Sequence, residues 1–388
     1  MAHTLTLAAA DGRGAVRGAI EGGVAAAEAT EALKEKKAAE IAAAVAAAPA
    51  LRQEWLATPL MLTPLLADLH ADGVQEVHIV PGGDWHLAPW AASLDEHVPG
   101  LRVRQFPTTA GWWRTMTEPV AAQPTRWAAL AHDAADTPKP LMWVEPEVTA
   151  LAQLWGPVTL PSPQGAAQLA TQLERLDASA PAWPPHGQSK ADVQALVGIG
   201  HGNAPEGNWS QAGLVRGGKG AELSYFTGMD LHRISTAHRL VMSCCVLGRV
   251  RDWQGEPMGM TALAFAFKAR LAVGAMVPVP DFEGAIFSMA LHHAWATQER
   301  RCVAAADKPM DWSGVFHATR RSVMAGQWPP GFGAWLGQAL PELTSGVHDL
   351  DLATRGLGEM STDAYINQLA TAPTSELREV ASMFTCLG

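Results

Sequence analysis

Cysteine is scarce in this chain, with four in 388 residues. They are too few and too unevenly spaced for a disulfide framework. The adjacent pair Cys244-Cys245 could not bridge to itself without strain. The expectation is therefore free thiols in a reducing, cytoplasmic setting. Basic residues are also in deficit. Lys and Arg number 28 against 38 Asp and Glu, for a net charge of −10 and a pI near 5.8. That balance excludes a general nucleic-acid binder, which carries a basic excess. Long apolar runs are missing as well. The most apolar long stretch, Met258 to Pro280, is broken by Lys268 and Arg270, so no membrane span is expected. The opening residues, "MAHTLTLAAADGRG", have neither the basic start nor the apolar centre of a secretory leader. No repeat of 30–40 residues is visible. What remains is ample apolar material. Hydrophobic residues make up 48% and charged ones 17%, which excludes a disordered chain and supports one large domain or two modest ones.

Residues 13–48 are rich in Ala, Glu and Lys, and their propensity predicts a long helix stopped by Pro49. An alanine-rich face is a better surface helix than a partner-docking one. From residue 60 the pattern alternates. "LTPLLADLHADG" reads as a helix stopped at Gly73, "VQEVHIVP" (74–81) and "LRVRQFPT" (101–108) as strands, and "PLMWVEP" (140–146) as a third strand leading into a helix near 147–155. "GPVTLP" reads as a short strand, 163–176 as a helix, and the Pro-rich "SAPAWPPHGQS" (179–189) as a linker. "VQALVGIG" (193–200) is a strand running into His201. "AGLVRGG" and "AELSYF" form a hairpin, followed by a helix with Thr227 as its N-cap. "RLVMSC" (239–244) is a buried strand, 258–269 a helix and 270–280 a strand, with helices at 282–297 and 311–325. Alternating helices and apolar strands predict an α/β fold with a mainly parallel sheet.

In such sheets functional residues gather just beyond the carboxyl ends of strands. Two predicted strand ends carry chemistry: "GIGHG", with His201 and Gly202, and "MSCCVLG", with Cys244 and Cys245. A cysteine nucleophile needs an imidazole and backbone N–H groups for the oxyanion. Glycine after the histidine lets the backbone approach a substrate carbonyl. Each piece alone is weak, since a cysteine at a strand end is more often a small core residue.

The pair, taken in order, resembles the CHAT proteases, caspase-like cysteine peptidases of the caspase–separase clan. "VGIGHG" and "VMSCCVLG" are similar to that family's strand–His-Gly and strand–Ser-x-Cys-x-x-Gly segments. "QGEPMGMTALAFAFKARLAVGAMVPVPD" is similar to its Gly-Glu, helix and closing strand. "WPPGFGAWLGQA" (328–339) resembles its last motif, and "VHIVPGGDWHLAPWAAS" (77–93) resembles a motif of the silent N-terminal half. The match spans roughly residues 60–340. It departs at Val246-Leu247, where the family has an acidic residue and threonine, at Pro278, where it has tryptophan, and at Phe282, where it has a second aspartate.

The resemblance implies a caspase-like three-layer α/β fold. Residues 1–55 would be an Ala-rich helical segment, 56–180 a silent half, 190–345 a catalytic half and 346–388 a C-terminal tail. It implies a cysteine endopeptidase acting on protein substrates through a His201/Cys245 dyad. Gly202 and Cys245 N–H groups would form the oxyanion hole, and Cys244 would be a buried neighbour pointing away. It implies no cofactor or metal, and Cys244, Cys245, His232 and His238 lack zinc-site spacing. A separate sensor or activator protein, in bacterial regulated proteolysis or defence, is the implied partner. Asp281, Glu256 and Asp252 are candidates to meet a basic side chain of substrate, with Asp281 matching the family's acid. Taken singly, each fits a solvated or internally bonded loop acid better. His86 is expected to be structural, and His186-Gly187 to be linker. Two other readings stand beside this one: a silent scaffold of the same fold, and an amidase acting on small molecules.

Overall fold

A computed structural model describes residues 57, 61–98, 100–118, 127–131, 141–156, 174–175, 194–204, 212–217, 224–228, 230–231, 238–253, 256–267, 269–305, 310–344 and 362–388. The helix expected over 13–48, the strand after Gly156 and the linker at 179–189 lie outside these residues. The chain divides into two units. One runs to Thr108 and takes in Val250–Met258; the other comprises Thr109–Arg249 and Gly259–Gly388.

The first unit opens with α1 (Thr63–Ala71), closed by Gly73 at φ +90°, a left-handed value that suits glycine. Strands β1 (Glu76–Ile79) and β2 (Arg102–Gln105) pair in parallel around α2 (Trp90–His97). Glu76 on β1 accepts from Arg102 Nη1 at 3.0 Å and lies 2.6 Å from His78 Nε2. Although burial opposes it, the hydrogen bond to His78 and the Arg104 and Arg102 guanidiniums hold the Glu76 carboxyl below its ordinary range. His86, in the 3-10 turn Gly83–Leu87, is buried, as expected of a structural histidine.

The second unit starts with α3 (Thr109–Thr117) and carries the larger sheet. Strand β3 (Trp127–Ala131) is buried at every position. Then come α4 (Val144–Trp155), the short β4 (Glu174–Arg175) and β5 (Ala195–Ile199). A small antiparallel sheet follows, of β6 (Gly202–Asn203), β7 (Gly213–Gly217) and β8 (Ser224–Thr227). Next is β9 (Arg239–Ser243). The hairpin of β10 (Arg251–Trp253) and β11 (Glu256–Met258) belongs to the first unit. The second unit resumes with α5 (Met260–Ala266), β12 (Leu271–Ala275), α6 (Asp281–Ala304), α7 (Trp312–Met324) and α8 (Phe332–Thr344). It ends with α9 (Thr362–Thr371), α10 (Ser375–Met383) and β13 (Phe384–Leu387).

In this unit β4, β3, β5, β9 and β12 lie side by side and all parallel, and β13 closes against β12 antiparallel. The fold is thus mixed α/β, with a mostly parallel sheet flanked by helices. "ALVGI" and "LAVGA" are buried along their whole length, as expected of strands covered on both faces. Helix α6 is buried from Phe282 through His293 without a polar face, which marks a helix packed on all sides. The segment set apart in the sequence as a tail supplies, over 362–388, two helices and the strand β13 of this same sheet.

Two local expectations are corrected. "PLMWVEP" is not a strand over its described residues: residues 142–143 bend, and the helix begins at Val144. Pro146 fits the first helical turn, where a missing N–H costs nothing. The strand of this region is instead β3, "WAALA", whose Ala-rich content carries little β-propensity. Of the helix expected over 163–176, the described residues are Glu174–Arg175, and these are in strand beside β3.

Candidate functional site

Strands β5 and β9 are nearest neighbours, in a register that pairs Ile199 with Ser243. His201 and Cys245 each follow two residues beyond those partners. Two adjacent parallel strands therefore release the imidazole and the thiol at the same sheet edge. Gly202 locks the two ends together. A Cβ at Gly202 would lie 2.0 Å from the Cys245 carbonyl oxygen and 2.9 Å from Leu247 Cγ. Only glycine allows so close an approach.

The Gly202 N–H is not spent on the small sheet. Val215 N–H donates to the His201 carbonyl at 2.8 Å. The next pair along, Gly202 with Leu214, falls between the bonded rungs of an antiparallel ladder. Its N–H thus points away from β7.

The chain turns sharply at the cysteines. Val246 has φ +55°, the left-handed region, and is buried. A β-branched residue there is an outlier, and such strain collects at functional turns. The turn is held by Gly248, whose N–H donates to the Ala275 carbonyl at 2.8 Å. A Cβ on Gly248 would sit 2.3 Å from the Gly274 carbonyl oxygen, so the elbow lies directly on β12.

The two thiols differ. Cys244 is buried, and its Sγ donates to the Gly198 carbonyl at 3.3 Å. Burial pushes this thiol well up, reinforced by the neighbouring Cys245 and Glu147. Cys245 is half-buried. Its Sγ accepts from Val279 N–H at 3.4 Å and lies 3.5 Å from the Val279 carbonyl, to which the S–H can donate. The loop from β12 to α6 therefore grips the accessible thiol.

Asp281 opens α6, and its Oδ2 accepts from the backbone N–H groups of Met142 (2.9 Å) and Trp143 (3.2 Å). It thereby caps the start of α4, a helix without a side-chain cap of its own. Burial raises the Asp281 carboxyl, against the pull of those two N–H groups and of His201. His201, Gly202, Cys245 and Asp281 all lie in the second unit. Glu256 and Asp252 lie on the β10–β11 hairpin, grouped with the first, and Glu256 is exposed.

One acid escaped the sequence reading. Glu147 of α4 is 2% exposed, and its Oε2 accepts from Ser243 Oγ at 3.0 Å. Burial pushes its carboxyl up to about 8, with Asp281 adding to the rise and the Ser288 and Ser243 hydroxyls opposing it. The signal was present: Val144, Glu147, Val148, Leu151 and Leu154 are buried at helical spacing, which places a carboxyl within an apolar stripe. Val279 and the left-handed Val246 carried no such signal.

Among the described residues, no group of three or more His, Cys, Asp or Glu is placed to hold a metal ion. No helix among them is long and apolar enough to cross a membrane. No family model matches the chain, and no curated protein matches it.

Proposed function

We propose that the chain is a caspase-like cysteine endopeptidase of the CHAT type, with Cys245 as nucleophile and His201 as acid and base. The observation that carries this reading is the β5–β9 register, which sets His201 and Cys245 side by side beyond one sheet edge with Gly202 against the Cys245 carbonyl. His201 takes the Cys245 S–H proton as Sγ attacks the scissile carbonyl, and the carbonyl π electrons move onto oxygen. The Gly202 and Cys245 N–H groups stabilise that oxyanion. His201 gives its proton to the departing amine, leaving a thioester. Neutral His201 then takes a proton from water, hydroxide adds to the thioester, and the acid product leaves as the thiol re-forms. The silent N-terminal half, the three-layer caspase-like arrangement, the cytoplasmic setting and a sensor or activator protein belong to the same proposal.

Asp281 is the candidate for a basic side chain ahead of the cut, yet it already caps α4. An Asp281→Asn variant that loses preference for Arg or Lys while keeping kcat on neutral substrates supports that role. Unchanged preference removes it.

A second reading, a silent scaffold of the same fold, is favoured by one observation. Val279 engages the Cys245 thiol through both its N–H and its carbonyl, so the S–H is directed at a backbone carbonyl rather than at an imidazole. A peptide-library digest with wild type and Cys245→Ala separates the two. Cleavage present in the first and absent in the second supports the peptidase. No cleavage by wild type under any activating condition supports the scaffold.

A further inference from the structure

The buried acid bonded to the end of β9 has no part in the reaction above. Glu147 is buried between α4, α6 and the end of β9. Ser243, the last residue of β9 and two before Cys245, donates to its Oε2. Among the described residues its Oε1 has no hydrogen-bond partner, and neither does Ser288 Oγ of α6. That serine stands near enough to favour the ionised carboxyl without reaching bonding geometry. An ionised carboxylate with one satisfied oxygen is poorly solvated there. A protonated one needs only an acceptor for its O–H, and Ser288 Oγ is the group at hand.

Several titratable groups lie around this carboxyl. From the chain beyond β9 comes Cys244, whose thiol a charge on Glu147 raises. From α6 come Asp281, which raises Glu147, the buried Glu283 beside it, and His292, four residues past Ser288, which accepts from Trp155 Nε1 of α4 and is lowered to about 3 by burial. Among the described residues α4 also packs on β3, which carries no titratable side chain, and on α8, whose Glu342 is exposed.

We propose that Glu147 is a positioning residue that works uncharged: its protonated carboxyl holds Ser243 and so fixes the strand end that presents Cys245, and its ionisation places a buried negative charge near Cys244, the residue next to the nucleophile. The proposal rests on Cys245 being the reactive thiol.

The sign follows from burial. A carboxyl raised from its unfolded value of 4.5 to about 8 binds more protons folded than unfolded across that window. Its contribution to stability is fully present below about pH 4.5 and is lost as pH rises through about 8. Glutamine has the same shape and no titration. The Tm of Glu147→Gln minus that of wild type therefore widens between pH 5 and pH 8 and is flat above.

The positioning claim is read on the thiol. The full chain, wild type and variants, is alkylated with iodoacetamide from pH 6 to pH 10, with Cys245 followed by mass spectrometry. Above about pH 8 wild type falls behind Glu147→Gln by up to about tenfold, the effect of a one-unit displacement of a thiol titration. In Ser243→Ala, which removes a bond that favours the carboxylate, the departure moves to higher pH. Superimposable Cys245 profiles for wild type and Glu147→Gln overturn the proposal. So does a Ser243→Ala profile that departs where wild type does. Failure of the nucleophile reading looks different: Cys245 then reacts no faster than Cys302 or Cys386 at any pH, while the melting difference still reports the state of Glu147.

Discussion

Replacing Gly202 with alanine tests the register-locked contact directly. The added Cβ would meet the Cys245 carbonyl oxygen at 2.0 Å, the Cys245 carbonyl carbon at 3.0 Å and Leu247 Cγ at 2.9 Å. Two of the three are backbone atoms of a turn pinned by Gly248 on β12, so they cannot swing aside as a side chain could. The ends of β5 and β9 must part by at least about 1 Å before any real Cβ contact is reached. Overpacking of this kind costs about 1–3 kcal/mol. For a domain of this size that lowers Tm by roughly 2–10 °C. A displacement of about 1 Å between nucleophile and base costs on the order of 100-fold in rate. The assay pairs thermal melts with the labelling rate of Cys245 by an electrophilic peptide probe. Gly82→Ala serves as control, because nothing lies within 4 Å of its Cβ position and its φ is −121°; it should be neutral. A Gly202→Ala protein that melts within a degree of wild type and labels at the wild-type rate refutes the placement of Gly202 against Cys245.

At Val246, two truncations should reverse the usual order. Both lose a buried side chain, but alanine keeps the left-handed strain and glycine relieves it, so Val246→Gly should be more stable than Val246→Ala by about 1 kcal/mol in urea unfolding. Equal stability, or alanine ahead, contradicts the assigned turn. Arg239 is buried at the opposite end of β9 from Cys245, its guanidinium 3.4 Å above the Trp312 ring. Burial lowers it to about 9 and Glu299 pushes back. Arg239→Ala strips a buried acid of this cation and should cost about 3–5 kcal/mol, with Cys245 labelling in the folded protein unchanged. Loss of labelling without loss of stability would show that this end of the strand serves the site.

The parts of the site that were legible in the sequence are those set by local pattern. "ALVGI" and "RLVMS" are short apolar runs ended by Gly or Cys, so both strands and the residues beyond them could be placed. Cys244 and Cys245 face different surroundings, one buried on Gly198 and one half-open, as alternation along a strand end dictates. The neighbouring places of β5 and β9 needed the register, which local pattern does not contain. β3 was missed because alanine is at home in helices, and burial rather than propensity makes "WAALA" a strand. The Val246 turn was invisible because valine argues against positive φ; tertiary contacts across Gly248 and Gly274 impose it. The last 27 residues, Thr362 to Gly388, looked like a tail because their strand is only four residues long. Its pairing with β12 gives it a place.

The central claim is that Cys245 is a nucleophile served by His201. The most direct measurement is labelling of the full chain with acyloxymethyl-ketone peptide probes that vary the residue before the warhead, with the modified site read by mass spectrometry. The account predicts selective modification of Cys245 that is lost in His201→Ala and depends on the probe sequence. Equal, slow labelling of Cys244, Cys245, Cys302 and Cys386, indifferent to His201, would contradict it.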